Sequence, residues 1–144
     1  MGWGVISKTG AKFSLVDYGC LETSVGFSLS DRLELIFDGI SKVIKKHKPD
    51  LAGIETLFFN TNAKTAISVG EARGVILLAL KKSGVKVIDI TPIQVKQAVA
   101  GYGRAEKVQV QKMLKVLLNL KEIPQPDDAA DALAVALASG SIKL

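Results

Sequence analysis

The amino-acid sequence predicts an α/β fold, a mixed sheet flanked by helices, in a single domain spanning residues 1–144. Three observations predict it. Short runs rich in β-formers alternate with longer runs at helical spacing, which implies strands interleaved with helices. The stretch from Pro126 to Ala138 is apolar on almost every side, and such a helix is a buried one. A chain of 144 residues with 48% hydrophobic and 23% charged residues is long enough and apolar enough for one core.

The elements follow in order. Trp3 to Lys8 and Lys12 to Tyr18 flank the turn signal Thr9-Gly10 and read as a hairpin. A further extended piece is expected to run on to Ser24. Ser30 or Asp31 is expected to cap the next helix, on which Leu33, Phe37, Ile40, Ile44 and His47 keep helical spacing along one side. Lys45, Lys46 and Lys48 suit its negative end, and Pro49 stops it. His47, the only histidine, reads on the same dipole argument as a helix-end residue rather than a catalyst. Leu51 to Ile54 is a short apolar strand with Glu55 at its carboxyl end. Asn60-Thr61-Asn62 reads as a turn or cap, followed by a long helix from about Ala63 to Lys82 that Gly84 closes. Val85 to Ile90 is a buried strand. Thr91-Pro92-Ile93-Gln94 combines a capping box with proline at the first helical position. Gly101-Tyr102-Gly103 is a break before the amphipathic stretch Glu106 to Leu120, with Val110, Met113, Leu114, Leu117 and Leu120 on one side. Pro124 and Pro126 frame the loop before the last helix, whose free amides Asp127 can cap.

The 19 Lys and Arg residues against 14 Asp and Glu give a net charge of +5, which allows a polyanionic partner such as nucleic acid. The apolar stretches are interrupted by Gly, Lys or Asp, so no membrane span is predicted, and no secretory leader is expected. Cys20 is the only cysteine, which excludes an internal disulfide and, with one histidine, a zinc site of the common type. A reducing cytoplasm fits that composition.

The chemistry gathers on acids. Asp128 and Asp131 stand at i and i+3, so they share one face of the last helix. Acids at a helix start complement its positive end, which accounts for Asp127 and Asp128 but poorly for Asp131, a turn inside an apolar helix. Buried carboxylates need compensation, and a divalent cation with oxygen ligands supplies it. Glu55 ends an apolar strand, where ligands gather in α/β folds; a solvated strand-end charge is the plainer alternative. Glu55, Asp128 and Asp131 are therefore expected to converge on a shared pair of hard cations, which activate water and stabilise the leaving oxygen of a phosphodiester.

At these residues the chain resembles the RuvC family of bacterial Holliday junction resolvases. The resemblance rests on Gly53-Ile54-Glu55-Thr56-Leu57-Phe58-Phe59, Gly70-Glu71-Ala72-Arg73-Gly74, Gln94-Val95-Lys96-Gln97-Ala98-Val99, Gly101-Tyr102-Gly103, Lys107-Val108-Gln109-Val110-Gln111 and Asp128-Ala129-Ala130-Asp131-Ala132-Leu133-Ala134, with Trp3-Gly4-Val5-Ile6 fitting the family's second strand. These blocks follow in the family's order over essentially the whole chain. The resemblance implies a ribonuclease H-like fold and a homodimer that nicks two symmetry-related strands of four-way junction DNA. It implies Mg2+ (or Mn2+), two ions per subunit, held by Glu55, Asp128 and Asp131, and partnership with the branch-migration proteins RuvA and RuvB. Lys107 resembles the family's active-site lysine, suited to stabilising phosphate charge. Lys96 resembles a second basic residue near the scissile strand. Phe58 resembles the aromatic near the junction centre, where a ring can stack on an unpaired base; core packing is the alternative, and Phe59 can take that part. Lys64, Arg73 and Arg104 are candidate phosphate contacts, although a solvated surface explains such cations equally. Gly70 and Gly74 suggest close helix packing at a dimer interface.

The family's catalytic quartet includes one more aspartate, in a first strand ending in Gly-Ile-Asp-Pro-Gly, and no such run precedes Gly2-Trp3 here. Asp17 follows the hairpin turn on a different strand and is no substitute. A start codon placed too far downstream, or a shortened chain, explains this more readily than a natural design. The expectation is a junction-resolving endonuclease; the alternative is a catalytically impaired junction-binding dimer.

Overall fold

The structure, a computed structural model, describes residues 1–56 and 63–143. Phe58, Phe59 and the turn expected at 60–62 lie outside the described residues. The elements are β1 (Gly2–Thr9), β2 (Lys12–Cys20), α1 (Leu29–His47), β3 (Leu51–Glu55), α2 (Ala63–Lys82), β4 (Lys86–Ile90), α3 (Pro92–Ala100), α4 (Lys107–Leu117) and α5 (Asp127–Ser141). Strand pairing is mixed. β1 and β2 form an antiparallel hairpin with Trp3 opposite Gly19, and Gly10 takes a left-handed φ of 62° in the turn. β3 and β4 form a second two-stranded sheet. Lys86 N–H donates to the Asp50 carbonyl and Thr56 N–H to the Ile90 carbonyl, so the chains run parallel.

The chain divides into two compact units. The first comprises Met1–Cys20, Gly53–Thr56 and Ile88–Leu144. Its core is built on α5: Ala130, Leu133, Ala134, Leu137 and Ala138 pack with Ile90, Val95, Val99, Leu114 and Leu118. The strands approach α5 closely because they present glycines. A Cβ on Gly2 would overlap the Asp128 carbonyl, and one on Gly4 would lie 2.7 Å from Leu133 Cδ2. At the far end of α5, Lys8 Nζ donates to the Gly140 carbonyl at 2.7 Å, placing a cation where the helix dipole is negative.

The second unit comprises Leu21–Ala52 and Leu57–Val87, and in it α1 packs along α2. Ile36, Ile40 and Ile44 are the buried residues of α1; Ile40 and Ile44 belong to the predicted stripe, and Ile36 takes the place given to Leu33 and Phe37. Ser28, rather than Ser30 or Asp31, caps α1, accepting the Asp31 N–H; Asp31 instead occupies the first turn, where its charge suits the dipole. β2 stops at Cys20, and residues 21–24 have no regular structure. Lys48 closes α1 in a left-handed conformation, its N–H donating to the Ile44 carbonyl. Gly84 closes α2 as expected, with a φ of 74°. Among the described residues no helix is long and apolar enough to cross a membrane.

Candidate active site

The first unit carries the acids. Glu55 ends β3 and is partly buried, and its neighbour Thr56 fastens this end of the strand to β4. The Thr56 N–H and hydroxyl both donate to the Ile90 carbonyl, at 2.8 and 3.1 Å. Burial first, and the charge of Asp131 second, raise the Glu55 carboxyl above its ordinary value of 4.5. Glu55 and Asp131 therefore feel each other as like charges.

Asp128 and Asp131 lie in the first turns of α5, as the spacing requires, but they are not buried. Their side chains are 66% and 54% exposed, because α5 turns one face outward at its start while Ala129, Ala130, Leu133 and Ala134 face the core. Pro126 takes the N-cap position of α5, with no side-chain cap hydrogen bond, so Asp127 is the first helical residue rather than the cap expected of it. Its carboxylate turns instead to Lys107, the first residue of α4. Lys107 Nζ lies 3.1 Å from Asp127 Oδ2 and 3.3 Å from Asp131 Oδ2. These contacts, that to Asp127 first, raise the lysine above its ordinary range. The Asp127–Lys107 contact is the feature that sequence reasoning missed. Its signal is the i, i+4 spacing of Asp127 and Asp131, which puts both carboxylates on one helix face.

The start of α4 is itself pinned. Gln109 Oε1 accepts the Glu106 N–H at 2.8 Å and the Tyr102 hydroxyl at 2.7 Å. Of the remaining candidates, Lys96 is partly buried on α3 and Arg104 exposed in the loop before α4, both in the first unit. Lys64 and Arg73 lie on α2, in the second unit.

The donor set fits a hard divalent cation in kind: carboxylate oxygens alone, with a part-buried glutamate whose charge a cation would offset. The expected convergence is not complete. Among the described residues no group of three or more His, Cys, Asp or Glu side chains stands close enough to hold a metal ion. Lys107 Nζ stands 3.3 Å from Asp131 Oδ2, so one side of that carboxylate already faces a cation.

Comparison with known proteins places this arrangement. The family model for crossover junction endodeoxyribonuclease RuvC matches residues 1–139. The RuvC of Ruminiclostridium cellulolyticum is 53% identical over 140 residues, covering 97% of this chain and 84% of that protein. The RuvC of Halothermothrix orenii is 52% identical over 141 residues, 98% of this chain and 86% of that protein. Among solved structures, Thermus thermophilus RuvC in complex with Holliday junction substrate superimposes with a TM-score of 0.91 at 38% identity, over 95% of this chain and 84% of that one. The α/β architecture is thus the ribonuclease H-like fold. With the family model spanning nearly the whole chain and half of the residues shared with such relatives, the chain belongs to the crossover junction endodeoxyribonuclease RuvC family.

Proposed function

We propose that this chain is a structure-selective endonuclease that resolves four-way (Holliday) DNA junctions by paired symmetric nicks. The observation that carries the reading is the likeness, at a TM-score of 0.91, to a RuvC solved in complex with Holliday junction substrate. The net charge of +5 supports a polyanionic substrate. Residues 1–144 act as one nuclease domain in this reading, supported by the family match over 1–139. The acting unit is a homodimer. In support, Ile67, Gly70, Gly74 and Leu78 follow one face of α2; both apolar side chains are exposed, and a Cβ on either glycine would meet nothing within 4 Å. RuvA and RuvB as partners, and a cytoplasmic location, come with the family reading.

Glu55, Asp128 and Asp131 would hold Mg2+ or Mn2+, two ions per subunit. When bound, such ions activate water for attack on phosphorus and stabilise the leaving oxygen, giving 5′-phosphate and 3′-hydroxyl ends. The chain's own residues orient the DNA. Lys107 offers an ammonium beside Asp131, placed to meet charge building on the phosphate. Lys96, Arg104, Lys64 and Arg73 contact backbone phosphates, and Phe58 stacks on an unpaired base.

The test uses labelled four-way junction and linear duplex with Mg2+, and with EDTA as control. Symmetric paired nicks in the junction alone are expected, with affinity falling steeply as salt rises. Equal affinity for the two DNAs overturns the junction-selective reading. The alternative is a dimer that binds junctions without cutting them. Selective junction binding with no nick in either Mg2+ or Mn2+ would select that alternative.

A further inference from the structure

We propose that Asp127 is a positioning residue for Lys107, holding its ammonium at the acid-bearing end of α5 when Asp131 is otherwise engaged. The proposal rests on the nuclease reading and adds a residue to it.

Lys107 Nζ stands between two carboxylates of one helix, 3.1 Å from Asp127 and 3.3 Å from Asp131. An ammonium carries three N–H donors, so both contacts coexist. The two acids are not equivalent. Asp131 also acts on Glu55 and belongs to the expected cation ligands, so its charge is shared. A lysine held by Asp131 alone would lose its anchor whenever Asp131 turned to a cation. Asp127, four residues earlier on the same face, gives the ammonium a second anchor within the site.

The α4 side of the contact leaves one freedom to restrain. Tyr102 and Gln109 fix the backbone from which Lys107 springs. Its flexible four-carbon stem is what remains, and the carboxylate of Asp127 restrains its tip. Two plainer explanations make different demands. An acid at the first position of α5 complements the helix dipole whether or not a lysine reaches it. The pair also adds little to stability, with side chains 52% and 60% exposed. Neither explanation involves cleavage rate.

The experiment compares the full chain with Asp127→Asn, Asp127→Glu, Lys107→Ala and the double variant Asp127→Asn/Lys107→Ala. The readouts are junction Kd, single-turnover cleavage rate at saturating junction, thermal melting, and the lysine ammonium signals in nitrogen NMR without DNA. Asp127→Asn is expected to slow cleavage about tenfold, as misplaced catalytic groups do, with Kd nearly unchanged. Asp127→Glu should recover much of the rate. In the Lys107→Ala background Asp127→Asn should add nothing further. The Lys107 ammonium signal should broaden in Asp127→Asn. Equal slowing in both backgrounds overturns the proposal, as does a lower melting temperature with an unchanged rate. A parent chain that binds junctions but cuts none defeats the nuclease reading separately, and the Lys107 signal then decides the holding role: broadening in Asp127→Asn sustains it, and an unchanged signal overturns it.

Discussion

Gly53 of β3 and Ser139 of α5 meet where no methyl group fits. A Cβ on Gly53 would overlap the Ser139 hydroxyl, which donates to the Val135 carbonyl at 2.7 Å, and would lie 2.9 Å from Ser139 Cβ. Glu55 follows Gly53 by two residues, and Asp128 and Asp131 lie in the first turns of the helix whose last turn holds Ser139. The glycine thereby sets how closely the strand bearing one acid lies against the helix bearing the other two.

Gly53→Ala should therefore destabilise the chain by roughly 1–3 kcal/mol, the ordinary cost of overpacking a tight contact. For a chain of this length that lowers the melting temperature by roughly 2–12 °C. Ser139→Ala in the Gly53→Ala background should restore part of the loss, since it removes the nearest atom but leaves Cβ. Additive effects of the two substitutions in calorimetry would mean that the contact does not govern the spacing.

The buried seam of α4 gives a second prediction. Sequence spacing puts Val110, Met113, Leu114, Leu117 and Leu120 on one side; the structure packs Val110, Leu114 and Leu120 on the core and buries Leu118, just past α4, to 4% exposure, but leaves Leu117 at 37%. Leu114→Ala should cost about 2–5 kcal/mol, as a cavity in a packed core does. Leu117→Ala should be close to neutral. Equal losses in denaturant titrations would restore the seam drawn from spacing.

That contrast marks what was legible beforehand. The hairpin, the strands before Glu55 and Thr91, the capping box of α3 and the long α2 were legible because each has a local signature in turn residues, caps or apolar runs. The cap of α1 falls at Ser28 rather than at Ser30 or Asp31 because three hydroxyl or acid side chains within four positions can each cap, and sequence alone does not choose among them. The rotation of α4 was illegible because its sequence is apolar on more than one side, and only packing against α3 and α5 chooses among them. In the site, Glu55, Asp128 and Asp131 were legible by position, but their exposure was not. An apolar helix reads as buried throughout, although its first turn can face outward. Asp127 read as a cap because sequence shows a carboxylate at a helix start but not the lysine that reaches it from α4.

Lys107→Ala tests whether the ammonium serves chemistry or folding. Its two contacts are exposed, and such pairs are worth about 0–1 kcal/mol each, so the melting temperature should move by only a few degrees. Junction cleavage should fall on the order of a hundredfold or more, the usual loss when a donor aimed at transition-state charge is removed. A variant that cuts at the parent rate would remove Lys107 from the catalytic set.

Glu55 gives a prediction in pH. Its carboxyl ionises above the ordinary value of 4.5 in the folded chain, through burial and then through Asp131. Well below 4.5 the group is neutral in both folded and unfolded chains, and the burial of the neutral form carries no ionic penalty. As pH rises past 4.5 the unfolded chain releases the proton first, and the folded chain must later hold the ion in a less favourable place. Stability therefore falls through that window and levels off above the folded value. Glu55→Gln removes the penalty. Without divalent cation the Gln variant should melt above the parent at pH 7, and the difference should close in acid. Mg2+ should reverse the order, because an ion held by the folded carboxylate raises the parent's melting temperature while the amide offers it much less. EDTA should undo that rise. Parallel melting of parent and variant across pH, with no response of the parent to Mg2+, would show that Glu55 is neither strained by its surroundings nor a cation ligand.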